Sequence, residues 1–217
     1  MTHEPFGALI LAFEIERFGQ LSHDISPDQH GSMVAVITTA LRNSGIDPES
    51  TRRQDHHAGT VLIAPGAGPV TVLGALMREL GGLVRQRAMR LRVAVHHGLV
   101  SHDGRGWAGT ALTTATELAG AEAARNTLAG DPGASLAVIV SDDLYRNVVA
   151  HHLDATAYQE VRVQAGAPAW VTVPEAAPTV ATPAPAEATP AGADVRIGTQ
   201  FTAPASFSST YISQINN

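Results

Sequence analysis

Six of the ten histidines in this 217-residue chain stand in adjacent pairs, at 56–57, 96–97 and 151–152. Imidazole is a common ligand of transition metals, so the pairs raise the question of a metal site. Their spacing argues against one, because neighbours on a strand point to opposite faces and rarely share an ion. Surface positions account for most of them, with His96 packed in a strand. Asp55, His57 and Ser101 have the residue types of a hydrolase triad, but no nucleophile elbow accompanies them. The glycine-rich segments PGAG (65–68) and DGRGWAG (103–109) lack both Gly-Lys-Ser/Thr and the dinucleotide-binding spacing, so they read as loops.

Composition removes other chemistries. All 14 basic residues are arginine, so no amine exists for a Schiff base or a phosphate-loop lysine. The absence of cysteine excludes disulfides, thiolate metal sites and cysteine nucleophiles. A net charge of −6 gives no basic surface for nucleic acid. No apolar run approaches the roughly 20 residues that span a bilayer. The apolar stretch 7–15 is short, lacks a basic start and is followed by charges, unlike a signal peptide. These features lead to the expectation of a soluble cytoplasmic protein without membrane or nucleic-acid partners.

The periodicities then give the elements. Residues 7–15 read as a buried strand. Ser26-Pro27-Asp28 starts a helix that carries Met33, Val34, Ile37 and Leu41 and stops at Gly45. Segments 51–55 and 60–64 form a hairpin around His56–Gly59. Pro69 opens a helix with Val72, Leu73, Leu76, Leu80 and Leu83 as its buried stripe. A strand over 91–97, a loop to Gly106 and a helix over 109–125 follow. Residues 136–140 are a short buried strand, and Ser141-Asp142-Asp143 caps the helix after it. A last hairpin, 159–164 and 169–173, turns at Gly166. Trp107 reads as core packing, and Arg85, Arg87, Arg90 and Arg92 as a solvated helix end. Residues 174–193 hold 5 Pro and 8 Ala among 20 positions, the composition of a semi-extended, mostly disordered linker. Residues 194–217 contain Phe201, Phe207 and Tyr211, which suggests a docking segment for a protein partner.

LRVAVHHGLV at 91–100, GTALTTATEL at 109–118 and LAVIVSDDLY at 136–145 resemble consecutive blocks of the class III nucleotidyl cyclase homology domain. His96 and Gly98 stand where that family has His-x-Gly. The lysine-free, Ala- and Arg-rich composition is similar to an actinobacterial subgroup. The resemblance covers about residues 6–173. It implies a ferredoxin-like α/β (α+β) cyclase fold, a central, mostly antiparallel sheet with helices packed on it. The implied organisation is a cyclase-like domain (1–173), the linker (174–193) and the docking tail (194–217).

The same resemblance implies a dimer, with a site shared between two copies or with another cyclase-like chain. Family catalysis uses two carboxylates that hold two divalent ions, with an asparagine and an arginine on the helix after the glycine loop. On this chain those positions read Glu14, Ala58, Thr113 and Glu117. The longer Glu14 alters ligand geometry for a small octahedral ion. Ala58 supplies no ligand, and Glu117 puts negative charge where a triphosphate would lie. The expectation is a degenerate, non-catalytic interaction module with no cofactor. A divergent cyclase using magnesium or manganese through Glu14, Glu16 and Asp55 is the alternative, and His57 joins these three as a candidate residual metal or nucleotide contact. A third reading is an assembly-associated protein recruited by its tail.

Overall fold

The computed structural model of the protein describes residues 4–16, 26–56 and 59–174. The expected linker beyond Pro174 and the segment 194–217 lie outside them. Strand β1 (Phe6–Ile15) is followed by helix α1 (Pro27–Asn43), then β2 (Arg52–His56) and β3 (Gly59–Ala64). Helix α2 spans 69–86 as an α turn Pro69–Thr71, a π segment Val72–Leu76 and an α segment Met77–Gln86. Strand β4 (Leu91–His102) pairs with the short β5 (Trp107–Ala108), and helices α3 (Thr110–Ala119) and α4 (Glu122–Gly130) follow. Strand β6 (Leu136–Ser141) leads into α5 at 142–152, which has a π segment Tyr145–Val149. Strands β7 (Gln159–Arg162) and β8 (Pro168–Thr172) close the sheet.

The strand order is β2-β3-β1-β4-β6-β8-β7. Only β4 and β6 run parallel; the other pairs are antiparallel. Central strands covered on both faces need continuous apolar runs, which is why β1, β4 and β6 are so hydrophobic. One face presents Leu9, Leu11, Phe13, Val93, Val95 and Val138 to α1 and α2. The other presents Ala8, Ile10, Ala12 and Ala94 to Ala111, Ala115 and Ala119 of α3. Small residues on both sides let α3 lie close to the sheet. At Gly98 a Cβ would come within 2.6 Å of the Ala111 Cβ, so the glycine is what admits the start of α3.

Local signals explain most boundaries. Ser26 and Gln29 form the reciprocal capping box at the start of α1. Gly45 and Gly166 take positive φ where the chain turns. The expected helix over 109–125 is instead two helices, broken at Gly120 and Ala121. The first ends as Gly120 and Ala121 donate to carbonyls of its last turns, and the second restarts at Glu122. Strand β4 extends to His102, beyond the expected 97, because its end pairs with both β1 and β5. Trp107 packs edge-on against Phe6 and His102, on the rim of the α3-side core.

Gly59 pairs with Glu14, and a Cβ there would stand 1.8 Å from the Phe13 carbonyl oxygen. Gly59→Ala is therefore expected to destabilise the domain by about 3 kcal/mol or more. Gly82, in the α2 interior with nothing within 4 Å of its Cβ position, gives the opposite sign. Gly82→Ala should stabilise by about 0.5–1 kcal/mol. Urea unfolding of the two variants checks both signs.

Candidate functional site

Strand register decides which candidates meet. Glu14 lies opposite Gly59 on β3 and opposite Arg92 on β4. Directly paired residues share a face. Glu14 and Arg92 therefore sit on the α3 face, and both are 7% exposed. Glu16 follows two residues on, held by its backbone N–H donating to the Arg90 carbonyl at 2.8 Å.

Arg92 uses all three of its guanidinium nitrogens. Nη2 donates to Glu14 Oε2 at 2.7 Å, Nη1 donates to Glu16 Oε2, and Nε donates to the Ala119 carbonyl at 3.1 Å. That carbonyl lies at the C-terminal, negative end of α3. Two carboxylates and a helix end thus converge on one largely buried point, and a single guanidinium bridges them. Arg90 does the same for α4, donating to the Leu128, Asp131 and Pro132 carbonyls. The reading of Arg85–Arg92 as a solvated helix end is corrected for these two: they clamp helix ends onto the sheet. The missed signal was the alternation Leu91-Arg92-Val93-Ala94-Val95. A charge inside a strand buried on both faces requires a partner.

Asp55 does not join this cluster. It pairs with Thr60, which pairs with Phe13, placing Asp55 on the α1 face. There it accepts from Thr60 Oγ1 at 2.6 Å and forms ion pairs with Arg53 and His30. Although partial burial works the other way, these partners hold its carboxyl below the usual range. Register places His56 on the Glu14 face, opposite Gly59. His57 and Ala58 lie outside the described residues. Thr113 and Glu117, one turn apart on α3, are both exposed. Glu117 also lines a cavity of about 380 Å³ with His96, Ser141 and Asp143. Ser141 stands at the N-terminus of α5, but its side chain makes no cap bond. Its hydroxyl instead lies 2.9 Å from His96 Nδ1.

This architecture is similar to that of several solved structures. An adenylate/guanylate cyclase/hydrolase from Silicibacter pomeroyi matches at a TM-score of 0.55 and 16% identity, over 81% of this chain and 100% of that one. The catalytic core of a rhodopsin-guanylyl cyclase with converted specificity, in complex with ATPalphaS, matches at 0.50 and 12%, over 79% and 98%. A bacterial light-regulated adenylyl cyclase matches at 0.51 and 13%, over 80% of this chain and 54% of that one. The chain has the fold of a nucleotidyl cyclase domain. No family profile matches the sequence, and no curated protein matches it.

Cyclase chemistry implies divalent ions, and the described donors do not fit them. Both carboxylates of the β1 end are already engaged by a cation, and Asp55 faces the other side of the sheet. Among the described residues no three His, Asp or Glu side chains cluster as a metal set. No described helix is long and apolar enough to cross a membrane.

Burial holds the His96 imidazole below its ordinary value of 6.5; nearby Asp143 opposes this and His97 adds to it. The unfolded chain then binds a proton that the folded chain resists, so stability is lost as pH falls through and below about 6.5. Melting temperature should hold steady from pH 8 to 7 and decline towards pH 5. His96→Asn, which keeps a polar partner for Ser141, should flatten that decline. Scanning calorimetry across the range measures the difference.

Proposed function

We propose that this domain is a non-catalytic nucleotidyl cyclase-like module that serves regulation or assembly. The observation that carries the reading is Arg92, seated on Glu14, where the resemblance calls for a metal ligand, and on the neighbouring Glu16. Metal-assisted phosphoryl transfer needs free carboxylates to hold the ions and cationic groups to meet developing charge on phosphate. Here both carboxylates are engaged internally by one guanidinium. The helix positions that would steady ribose and phosphorus read Thr113 and Glu117, both exposed, the second of the wrong charge. Ala58 stands at the place of the second metal-binding aspartate. An arginine on β4 is not available to a triphosphate without exposing two buried carboxylates, a disruption of about 3–5 kcal/mol.

The module works as a dimer through its cyclase-like face, with itself or with a more complete cyclase chain. Residues 194–217 recruit a protein partner, with 174–193 as the spacer. Its setting is the cytoplasm, with no nucleic-acid or membrane partner.

The purified chain should be incubated with ATP, GTP, CTP and UTP in turn, with manganese, and the products resolved by chromatography. The expected result is no cyclic nucleotide above the protein-free blank. Cyclic product that disappears in Glu14→Ala would overturn the reading.

A further inference from the structure

A cavity of about 700 Å³ lies away from the Arg92 cluster. Its floor includes Gly7 and Leu9 at the start of β1, seven and five residues from Glu14, or about 23 and 17 Å along the strand. Its apolar walls come from Leu144 and Val148, part of the core on the opposite face of the sheet from Arg92. Gly7, Gly66 and Gly68 leave it unfilled. At Gly7 a Cβ would meet the His97 ring at 3.6 Å, so the imidazole stands beside the open floor as a flat wall.

Three polar side chains converge on this cavity: His97, Asp143 and Asn147. Asp143 and Asn147 project from the same helix, α5. None of the three makes a hydrogen bond or ion pair with another described residue. No arginine lines the cavity, and the chain contains no lysine. The size suits a small organic ligand, and the lining has the usual form of such sites, mostly apolar with a few convergent polar groups.

We infer that this cavity binds an uncharged heterocycle with an N–H/NH₂ edge beside a carbonyl, the pattern guanine presents. The Asp143 carboxylate accepts from two adjacent donors, a charge-assisted bidentate arrangement. The Asn147 amide donates to the neighbouring carbonyl oxygen, and the His97 ring flanks the heterocycle. Adenine offers a ring nitrogen lone pair at the same place, which the carboxylate repels. Phosphate gains nothing, because the walls hold a carboxylate and no cation.

Titration calorimetry of the full chain with guanosine, inosine, adenosine and GTP tests this. Guanosine should bind best. Inosine, lacking the amino group, should bind about fivefold to tenfold more weakly, and adenosine weaker still. GTP should bind no tighter than guanosine. Asp143→Ala and Asn147→Ala, both at exposed positions, should each weaken guanosine at least about fivefold while circular dichroism stays unchanged. Equal affinity for the three nucleosides, a clear preference for GTP, or no saturable guanosine binding at millimolar ligand would overturn the inference. So would guanosine binding insensitive to Asn147→Ala but lost in Glu117→Ala, which would place the ligand in the smaller cavity that also borders Asp143. Because the Arg92 cluster lies elsewhere, failure here leaves the reading of the cyclase-like site untouched.

Discussion

Three negative groups meet at the C-terminal end of β1: the carboxylates of Glu14 and Glu16 and the carbonyl end of α3. Such a convergence, largely shielded from water, requires a cation. Arg92 is that cation, and it belongs to the strand next door. The bond to Ala119 fixes where α3 ends, and the bonds to Glu14 and Glu16 fix the end of β1 against β4. The small-residue interface of Ala8, Ala12 and Ala94 with Ala111 and Ala115 then lets α3 settle close to the sheet. Truncating Arg92 would leave two buried carboxylates side by side, so the structural role and the chemical consequence cannot be separated.

That consequence is that both carboxylates at the end of β1 are held by a cation of the fold itself. A cation bound covalently to the fold does not exchange with solvent ions and offers no open coordination position to a phosphate. Nothing else on the described surface compensates. Asp55 is on the wrong face, committed to Thr60, Arg53 and His30. Glu117 adds negative charge at the mouth of the smaller cavity. The sheet and α3 have the arrangement of a nucleotidyl cyclase domain, with Glu14 and Glu16 paired to Arg92 and Glu117 exposed on α3.

Much of the scaffold was legible from residue patterns. The buried run of β1, the Ser26 capping box, Pro69 as a helix opener and the Gly166 turn all follow from local rules, and local context upheld them. The helix over 109–125 was overextended because Gly120 and Ala121 read as ordinary helix interior, whereas long-range packing divides the segment there. Arg92 was misread for a related reason. Four nearby arginines suggest a solvated helix end, and only the pairing of β4 with β1 shows one of them turned inward to Glu14. Ser141 was taken as a cap, but its hydroxyl turned to His96, which lies across from it on the parallel strand β4 and is distant in sequence. In each case the residue type was informative, and the partner was set by register that no local window contains.

The most direct test is manganese binding, followed by electron paramagnetic resonance of the free ion, in the wild-type chain and in Arg92→Gln. With the guanidinium in place, the wild type should take up no stoichiometric manganese. Once it is replaced, Glu14 and Glu16 are released, and a site that disappears in Arg92→Gln/Glu14→Ala should emerge. Saturable manganese binding by the wild type, abolished by Glu14→Ala, would contradict the assignment of Arg92 as the resident cation.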